Sequence, residues 1–353
     1  MRRLVSIALA LVATAGGAWF ALTTVPVETW LFRHIAFNAV TKPRPVLAEK
    51  NELSVLFCGT GSPLPDKSRG GPCTLIAAGD KLYLVDAGID SARNLLLWRL
   101  PLEKIAGVFV THFHSDHIGE LGEIRLQTWV AGRDVPLPVY GPQGIDQVVG
   151  GFNQAYSLDA GYRTAHHGAA MLPPDAVAMV ARAIAPGTVL DLDGLKVTAI
   201  KVRHDPATPA YGYRFDYKGR SIVVSGDTAP DDNLARAAKG ADILVHEGLS
   251  PEMVGIMHDA LEAGGHARQA KIFHDIPGYH TSPVDAAKIA NKAKARLLVF
   301  THIIPMLPNS FAEDLFLHGV SDVRSCCTML AHDGLVLRLR EGSDDIDGKE
   351  DLD

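Results

Sequence analysis

The sequence predicts an α/β fold, and two observations support that prediction. Short apolar runs typical of buried strands, such as residues 105–110 and 296–300, alternate with stretches of helical pattern, such as residues 283–295. Most of these runs end on a side chain that can bind metal or move a proton. The strand-end residues of this kind are Asp86, His112, Asp227, His246 and His302. Because α/β sheets build their sites at the carboxyl ends of strands, we expect these side chains to converge on one site.

The densest group of metal-binding side chains follows the apolar run 105–110 directly. It has the pattern H-x-H-x-D-H from His112 to His117, and so many imidazoles beside a core strand are unfavourable without a partner. A divalent metal is the simplest partner. His112 and His114 lie on one side of an extended segment, whereas Asp116 and His117 fall at the turn into the next helix. The spacing therefore predicts two adjacent metals and disfavours a His-rich surface loop.

The overall composition is that of an ordinary globular protein. The chain has 353 residues, enough for one large domain or two small ones, and its formal charge is −6. No cluster of five or more Lys and Arg residues occurs, so nucleic acid is not an expected partner. Four cysteines are too few for a disulfide scaffold and are predicted to be small core residues. A bridge between Cys58 and Cys73 stays open if the domain is extracytoplasmic.

The N-terminus predicts attachment to a membrane. Arg2 and Arg3 precede an uncharged apolar run, residues 4–22, which as a helix would span roughly 28 Å. We expect an uncleaved anchor in the inner membrane, with the rest of the chain periplasmic or otherwise extracytoplasmic. The triplet Ala13-Thr14-Ala15 keeps open the alternative of a cleaved signal peptide and secretion.

The domain boundaries follow from these patterns. We predict an anchor or signal segment at residues 1–24, a proline-containing tether at 25–50 and a hydrolase domain at 51–341. The acidic tail, residues 342–353, is predicted to be disordered.

Two further features of the domain have both a functional and a local explanation. Asp86, at the start of a loop, is placed to orient a metal-bound histidine or simply to cap a turn. The loop from Gly59 to Pro72 either lines the site, with Arg69 as a guanidinium suited to an anionic group, or is simply a tight turn. His166 and His167, adjacent on a predicted helix, are expected to be surface residues rather than ligands of one metal.

The order of motifs resembles that of the metallo-β-lactamase superfamily over roughly residues 52–340. The H-x-H-x-D-H pattern is followed by His204, Asp227 and His302 in the expected sequence. The resemblance implies an αββα sandwich, with two mixed sheets facing each other and helices outside. It also implies two Zn²⁺ ions, although Mn²⁺ and Fe²⁺ suit the same ligands.

The resemblance assigns the ligands to two ions. One zinc takes His112, His114 and His204. The other takes Asp116, His117 and His302, and Asp227 bridges both.

Several motifs are similar to the branch that contains ribonuclease Z and the zinc arylsulfatases. In ribonuclease Z, the Glu of a His-Glu pair orients the His of a His-Ser-Thr loop, which protonates the leaving group. Glu247 and His280 match these positions, with Thr281-Ser282 in place of Ser-Thr. Ser282 and the following Pro283 also suit the start of a helix, whatever the role of His280.

Two departures count against tRNA processing. Only 22 residues separate His204 from Asp227, which leaves no room for the tRNA-gripping arm of the ribonucleases. The second departure is the predicted export, because precursor tRNA is cytoplasmic.

The expected function is therefore an arylsulfatase-like hydrolase of a sulfate or phosphate ester. A hydroxide shared by the two metals would attack, Asp116 would help to orient it, and His280 would act as general acid. The alternatives are a phosphodiesterase or ribonuclease Z-like endoribonuclease, and a non-catalytic metal-binding protein. The expected partners are a small-molecule ester and the membrane, and a homodimer stays open.

Overall fold

The structure is a computed structural model that describes residue 19 and residues 24–352. Its chain divides into two compact units between Pro45 and Val46. The predicted anchor, residues 4–22, lies outside the described residues apart from Trp19. Among the helices that are described, none is both long enough and apolar enough to span a membrane.

The first unit contains a helix where the sequence predicts a tether. Helix α1 (Val25–Thr41) has no buried residue. Pro26 does not prevent the helix because it lies in the first turn, where its missing N–H has no partner to lose. The helix ends before Pro43, which cannot continue it.

The second unit contains two mixed sheets. The eight-stranded sheet has the spatial order β15-β14-β1-β2-β3-β4-β5-β6, and the seven-stranded sheet has the order β13-β12-β11-β10-β9-β8-β7. The strands are β1 (Glu52–Gly59), β2 (Cys73–Ala78), β3 (Lys81–Val85), β4 (Ile105–Phe109), β5 (Leu137–Gly141), β6 (Met179–Ala183), β7 (Val189–Leu192), β8 (Leu195–Val202), β9 (Ala210–Tyr217), β10 (Arg220–Val224), β11 (Ile243–Leu249), β12 (Leu297–Ile304), β13 (Thr328–Leu330), β14 (Leu335–Arg340) and β15 (Asp347–Asp351).

Helices connect the strands and flank the sheets. They are α2 (Ser91–Leu97), α3 (Ser115–Ile118), α4 (Leu121–Val130), α5 (Ile145–Ala155), α6 (Ser157–His167), α7 (Asp232–Ala237), α8 (Pro251–Ala263), α9 (Ala267–Asp275), α10 (Pro283–Ala293), α11 (Ser310–Phe316) and α12 (Val320–Val323).

The alternation of side chains along the strands produces a layered core. In β1, Leu53, Val55 and Phe57 join a cluster that also contains residues of the second sheet. Leu56 and Cys58, which point to the opposite face, join the cluster formed with the helices outside the first sheet. A further cluster lies between the second sheet and its helices. The order helix, sheet, sheet, helix agrees with the predicted sandwich.

An aromatic cluster connects the two sheets just before the H-x-H-x-D-H segment. The ring of Phe109, the last residue of β4, is stacked on Tyr140 at 4.8 Å between centroids. Phe109 also contacts Tyr213 and Phe215 of the second sheet, at 5.2 and 5.6 Å. Its burial therefore fixes the position from which the following histidines leave the sheet.

The C-terminal tail differs from the prediction of disorder. Strand β15 pairs antiparallel with β14, which would otherwise be an edge strand with free backbone groups. Gly348 permits the close approach, because a Cβ there would lie 2.6 Å from a methyl carbon of Leu337. The acidic composition suggested a solvated tail, but backbone pairing does not depend on side-chain polarity.

The cysteines are not all core residues as predicted. Cys58 and Cys73 are buried and form a disulfide, the bridge that the sequence left open. Cys326 and Cys327 are exposed. They lie in the loop before β13, a short strand at the edge of its sheet, where few side chains can cover them.

We expect replacement of Phe109 with Ala to lower the free energy of unfolding by about 3–5 kcal/mol, because it leaves a cavity between the sheets. Denaturant titration followed by circular dichroism measures the change. Phe311, whose side chain is 83% exposed, provides the control, and Phe311→Ala should change the value by less than about 0.5 kcal/mol. Equal losses in the two variants would contradict the role given to Phe109.

Candidate metal centre and active site

Loops at the carboxyl ends of strands from both sheets bring the predicted site residues together. His112 and His114 follow β4, and Asp116 and His117 lie in the short helix α3. The second sheet supplies the remaining side chains, from the loops after β8 and β10 and from β12 itself. These are His204, Asp227 and His302. All of the predicted ligands except His114 are buried.

The side chains form two adjacent groups that could each hold an ion. In each group the ligand atoms lie within 4.8 Å of one another. The first group contains His112, His114, His204 and Asp227. The second contains Asp116, His117 and His302. The sequence resemblance assigned the same residues to two ions but placed Asp227 with both, and a third arrangement places His280 with Asp227 and His302.

Asp227 lies between the two groups. Its Oδ2 is 3.3 Å from the Nε2 atoms of both His117 and His302. The same oxygen is 3.8 Å from the Nε2 atoms of both His112 and His204. One carboxylate oxygen thus faces imidazoles of both groups, which is the position required of a bridging ligand.

The unpaired polar atoms of the site fit bound metal. Buried polar atoms in proteins nearly always have a hydrogen-bond partner. Four buried atoms of the site have no hydrogen-bond partner among the described residues: Asp116 Oδ2, His117 Nε2, Asp227 Oδ1 and His302 Nε2. Lone pairs of nitrogen and carboxylate oxygen that converge without donors are suited to a cation, and this donor set is one that zinc prefers.

The pKa values of the ligands shift in both directions. Burial by itself would lower the pKa of His117 and of His302, but the carboxylate of Asp227 outweighs it and raises both, so these imidazoles release a proton when metal binds. Burial, with a smaller contribution from the neighbouring His117, lowers the pKa of His112 well below its usual value, so its imidazole is neutral. Burial by itself would raise the pKa of Asp227. The imidazoles of His302 and His117 outweigh that effect and hold the pKa of Asp227 well below its usual range, so the carboxylate is ionised.

Groups behind the histidines fix their orientation. Asp86 Oδ2 lies 2.7 Å from His117 Nδ1, and the carboxylate also accepts hydrogen bonds from the N–H and hydroxyl of Thr111, each at 2.8 Å. The carbonyl of Tyr279 lies 3.0 Å from His204 Nδ1. In both histidines the Nδ1 atom is occupied, so the Nε2 lone pair points toward the centre. The sequence offered this use of Asp86 as one of two roles, beside capping a turn, and gave no signal for a backbone carbonyl.

Irregular backbone brings two of these residues into position. Asp86 and His302 have positive φ angles of 62° and 46°, which are unfavourable for residues other than glycine. His302 is also the extra residue of a bulge: Glu247 pairs with Thr301, and the next residue, Gly248, pairs with Ile303. The bulge turns the His302 side chain toward the site. The sequence predicted that the strand ends here, whereas it continues to Ile304.

His280 and Glu247 lie beside the second group. His280 Nδ1 is 3.2 Å from Glu247 Oε1, and that oxygen also accepts the N–H of Thr281 at 2.8 Å. The ring of His280 is stacked on His302, with 5.6 Å between centroids. The hydroxyl of Ser282 caps α10 by accepting the N–H of Asp285 at 3.1 Å. The local capping role and a position at the site are therefore both present.

Asp333 is a supporting residue that sequence reasoning missed. Its buried carboxylate accepts the N–H and hydroxyl of Thr60, at 2.9 and 2.7 Å, and the N–H of Gly70 at 2.7 Å. Arg69, predicted to be available for an anionic group, instead donates to Thr60 Oγ1 at 2.7 Å and to the carbonyl of Ala331 at 2.6 Å. These contacts fix the loop that lines the site. In the sequence Asp333 is followed by Gly334, a pair that indicates only a turn and not a role in supporting the site.

His166 and His167 are remote from this constellation. Both are exposed at the last turn of α6, as expected for surface histidines.

Fold and site together define a metal-dependent hydrolase with two facing mixed sheets. A model of the beta-lactamase superfamily domain matches residues 82–303. Ribonuclease Z from Mycobacterium bovis (strain BCG / Pasteur 1173P2) is 36% identical over 258 residues, which cover 72% of this chain and 87% of the relative. Ribonuclease Z from Mycobacterium avium (strain 104) matches with the same identity and coverage. The chain therefore belongs to the metallo-β-lactamase superfamily, in its ribonuclease Z branch.

Solved structures agree on the fold. The metallo-beta-lactamase fold protein YhfI from Bacillus subtilis has a TM-score of 0.61 at 20% identity. The match covers 82% of this chain and 100% of that chain. The short form of human tRNase Z has a TM-score of 0.56 at 21% identity, covering 80% of this chain and 98% of that chain.

The predicted two-zinc cofactor is confirmed by the family together with the two groups of side chains that could each hold an ion.

Two predictions from the sequence are wrong. The arylsulfatase-like function is contradicted by the ribonuclease Z relatives, because similarity extends along 258 residues rather than over short motifs. The extracytoplasmic location is contradicted by the relatives, which are ribonuclease Z proteins. The same relatives conflict with the expectation that nucleic acid is not a partner.

We expect Asp86→Asn to weaken metal binding by about 10- to 100-fold, because an amide cannot hold His117 in the required tautomer as a carboxylate does. Competition with a chromogenic chelator measures the affinity, and circular dichroism checks the fold. Asp80→Asn, at an exposed turn on the same sheet, is the control. Unchanged affinity in Asp86→Asn would show that Asp86 only caps the turn.

Proposed function

We propose that this chain is a two-metal phosphodiesterase with the endoribonuclease chemistry of ribonuclease Z. The observation that carries the proposal is the position of Asp227 between two groups of imidazoles, with His280 and Glu247 beside them. The 36% identity to ribonuclease Z supports phosphodiester hydrolysis as the reaction.

The proposed ligands are those of the two groups. His112, His114 and His204 would hold one zinc, Asp116, His117 and His302 would hold the other, and Asp227 would contribute to both. When bound, the two metals activate water as the nucleophile and neutralise charge that grows on the phosphoryl oxygens.

Asp116 positions the attacking water as well as binding metal. Its Oδ2 lies 3.5 Å from His117 Nε2 and 3.4 Å from His302 Nε2, and the residue also lines the cavity that opens on the centre. The water gives up a proton to solvent as its oxygen bonds to phosphorus.

His280 acts on the leaving group. Its Nδ1 faces Glu247, which leaves Nε2 for the substrate side of the ring. As the bond between phosphorus and the leaving oxygen breaks, Nε2 donates its proton to that oxygen. Glu247, held by the N–H of Thr281, lies 3.2 Å from Nδ1 and positions the ring for this transfer.

The chain segment between His204 and Asp227 bears on the kind of substrate. Residues 205–226, all described, contain β9 and β10 and hold no inserted arm. We therefore propose short RNA and small phosphodiesters as substrates, without a separate grip on a folded RNA. A homodimer stays a prediction.

The first test is hydrolysis by the full chain loaded with zinc. We expect turnover of bis-4-nitrophenyl phosphate and of a short RNA, two metals per chain, and no turnover of 4-nitrophenyl sulfate above the metal-free background. Two bound metals without hydrolysis of either diester would favour a non-catalytic metal-binding protein. Lack of metal binding after reconstitution would overturn the site itself.

The second test separates proton donation by His280 from metal binding. We expect His280→Ala to lower kcat by about 10²- to 10⁴-fold on an RNA diester, whose ribose oxygen is a poor leaving group, and far less on a nitrophenyl ester. Metal content should stay at two per chain. His166→Ala, at an exposed position, is the control. Equal losses on both substrates, or loss of one metal, would contradict the acid role.

A further inference from the structure

A cavity of about 260 Å³ opens directly on the metal-binding side chains. One face is polar and contains the centre itself. Its residues are His114, Ser115, Asp116, Asp227, His280 and His302. The rest of the lining is mostly apolar, with Pro63, Leu64, Ile272, Phe273, Ile276 and Ile304. A substrate in this cavity therefore meets both the metal-binding side chains and hydrocarbon.

Helix α9 and the turn that follows it supply Ile272, Phe273 and Ile276, half of these apolar residues, and they belong to the segment with the helical hairpin α8–α9 between β11 and His280. Phe273 and Val254 of the hairpin are buried against Leu249 and Ile304 at the ends of β11 and β12. Leu64 packs against the same cluster. The wall is thus part of the packed structure and is in place before substrate arrives.

Ile272 is not used in this packing. Its side chain is 56% exposed, although the neighbouring Phe273 is only 6% exposed. Ile272 nevertheless lines the cavity. It offers apolar surface that a bound apolar group would remove from water.

The cavity lacks groups that would bind a polyanion. No Lys or Arg occurs among the described residues that line it. The cation next to Ile272, Lys271, is paired with Asp275 at 2.6 Å. The metals alone therefore balance the charge of the substrate, which suits a diester with one negative charge rather than a chain of phosphates.

The apolar wall is on the side where the leaving group departs. Tyr279 immediately precedes His280, Ile276 lies four residues before it, and the centroids of the Tyr279 and His280 rings are 5.0 Å apart. A group that takes its proton from His280 therefore lies beside these side chains.

We propose that Ile272, Phe273 and Tyr279 form a subsite for an aromatic ring of the leaving group, either a nucleobase or an aryl ring. The subsite selects singly charged phosphodiesters whose leaving group bears a ring, and it rests on the proposed phosphodiesterase function. Stacking and apolar contact recognise the face of a ring without reading its edge, so the subsite accepts different bases.

Ile272→Ala tests the subsite, with Ile256→Ala as the matched control. Ile256 lies on α8 of the same hairpin, is 57% exposed and does not line the cavity. The substrates are methyl 4-nitrophenyl phosphate and a methyl fluoroalkyl phosphate whose leaving group has similar acidity. We expect Ile272→Ala to raise KM for the aryl ester about five- to tenfold, with less than about a twofold change for the fluoroalkyl ester. Ile272→Val should restore most of the difference.

A binding measurement gives a readout independent of turnover. Wild-type protein loaded with zinc should bind phenylphosphonate more tightly than methylphosphonate by calorimetry, and Ile272→Ala should reduce that preference about five- to tenfold. Equal effects on both esters, or equal effects of Ile256→Ala, would overturn the subsite. Absence of diester hydrolysis with the phenylphosphonate preference intact would overturn the proposed function and leave the subsite standing.

Discussion

The structure depends on one buried carboxylate, Asp227, whose Oδ2 lies 3.3–3.8 Å from four imidazole nitrogens. Groups of this polarity are unfavourable in a protein interior unless their charges and lone pairs are satisfied. The contributing loops come from both sheets, so the site and the core between the sheets are built together. Two metal cations satisfy the converging lone pairs that the protein leaves without donors.

The surrounding structure holds these side chains in place with backbone conformations that are locally unfavourable. Positive φ angles at Asp86 and His302 are unfavourable locally and persist because neighbouring contacts determine them. Asp86 is tied to Thr111 and His117, and His302 lies at a bulge between two paired strands. Strain at these positions therefore accompanies the precise orientation that metal ligands require.

The wrong assignment to arylsulfatases has a physical origin. A two-metal centre with a histidine acid activates water and protonates a leaving oxygen in the same way for a sulfate and a phosphate ester. The short motifs encode that shared chemistry, so they cannot tell the esters apart. The substrate also meets the wall of the cavity, which here comes from helix α9 with the turn after it and from the loop held by Asp333.

The sequence by itself determined the α/β class, the sandwich, the two-metal cofactor and the side chains that meet at the centre. Strand periodicity and the spacing within the H-x-H-x-D-H segment are local properties of the chain, whereas the sandwich, the zinc ions and the ligands His204, Asp227 and His302 followed from the resemblance of the motif order to the metallo-β-lactamase superfamily. The tertiary structure decided the rest: the bulge at His302, the carbonyl of Tyr279 behind His204, the use of Arg69 in a loop and the pairing of β15. Each depends on a contact between segments distant in sequence, and such contacts exist only once the two sheets have packed.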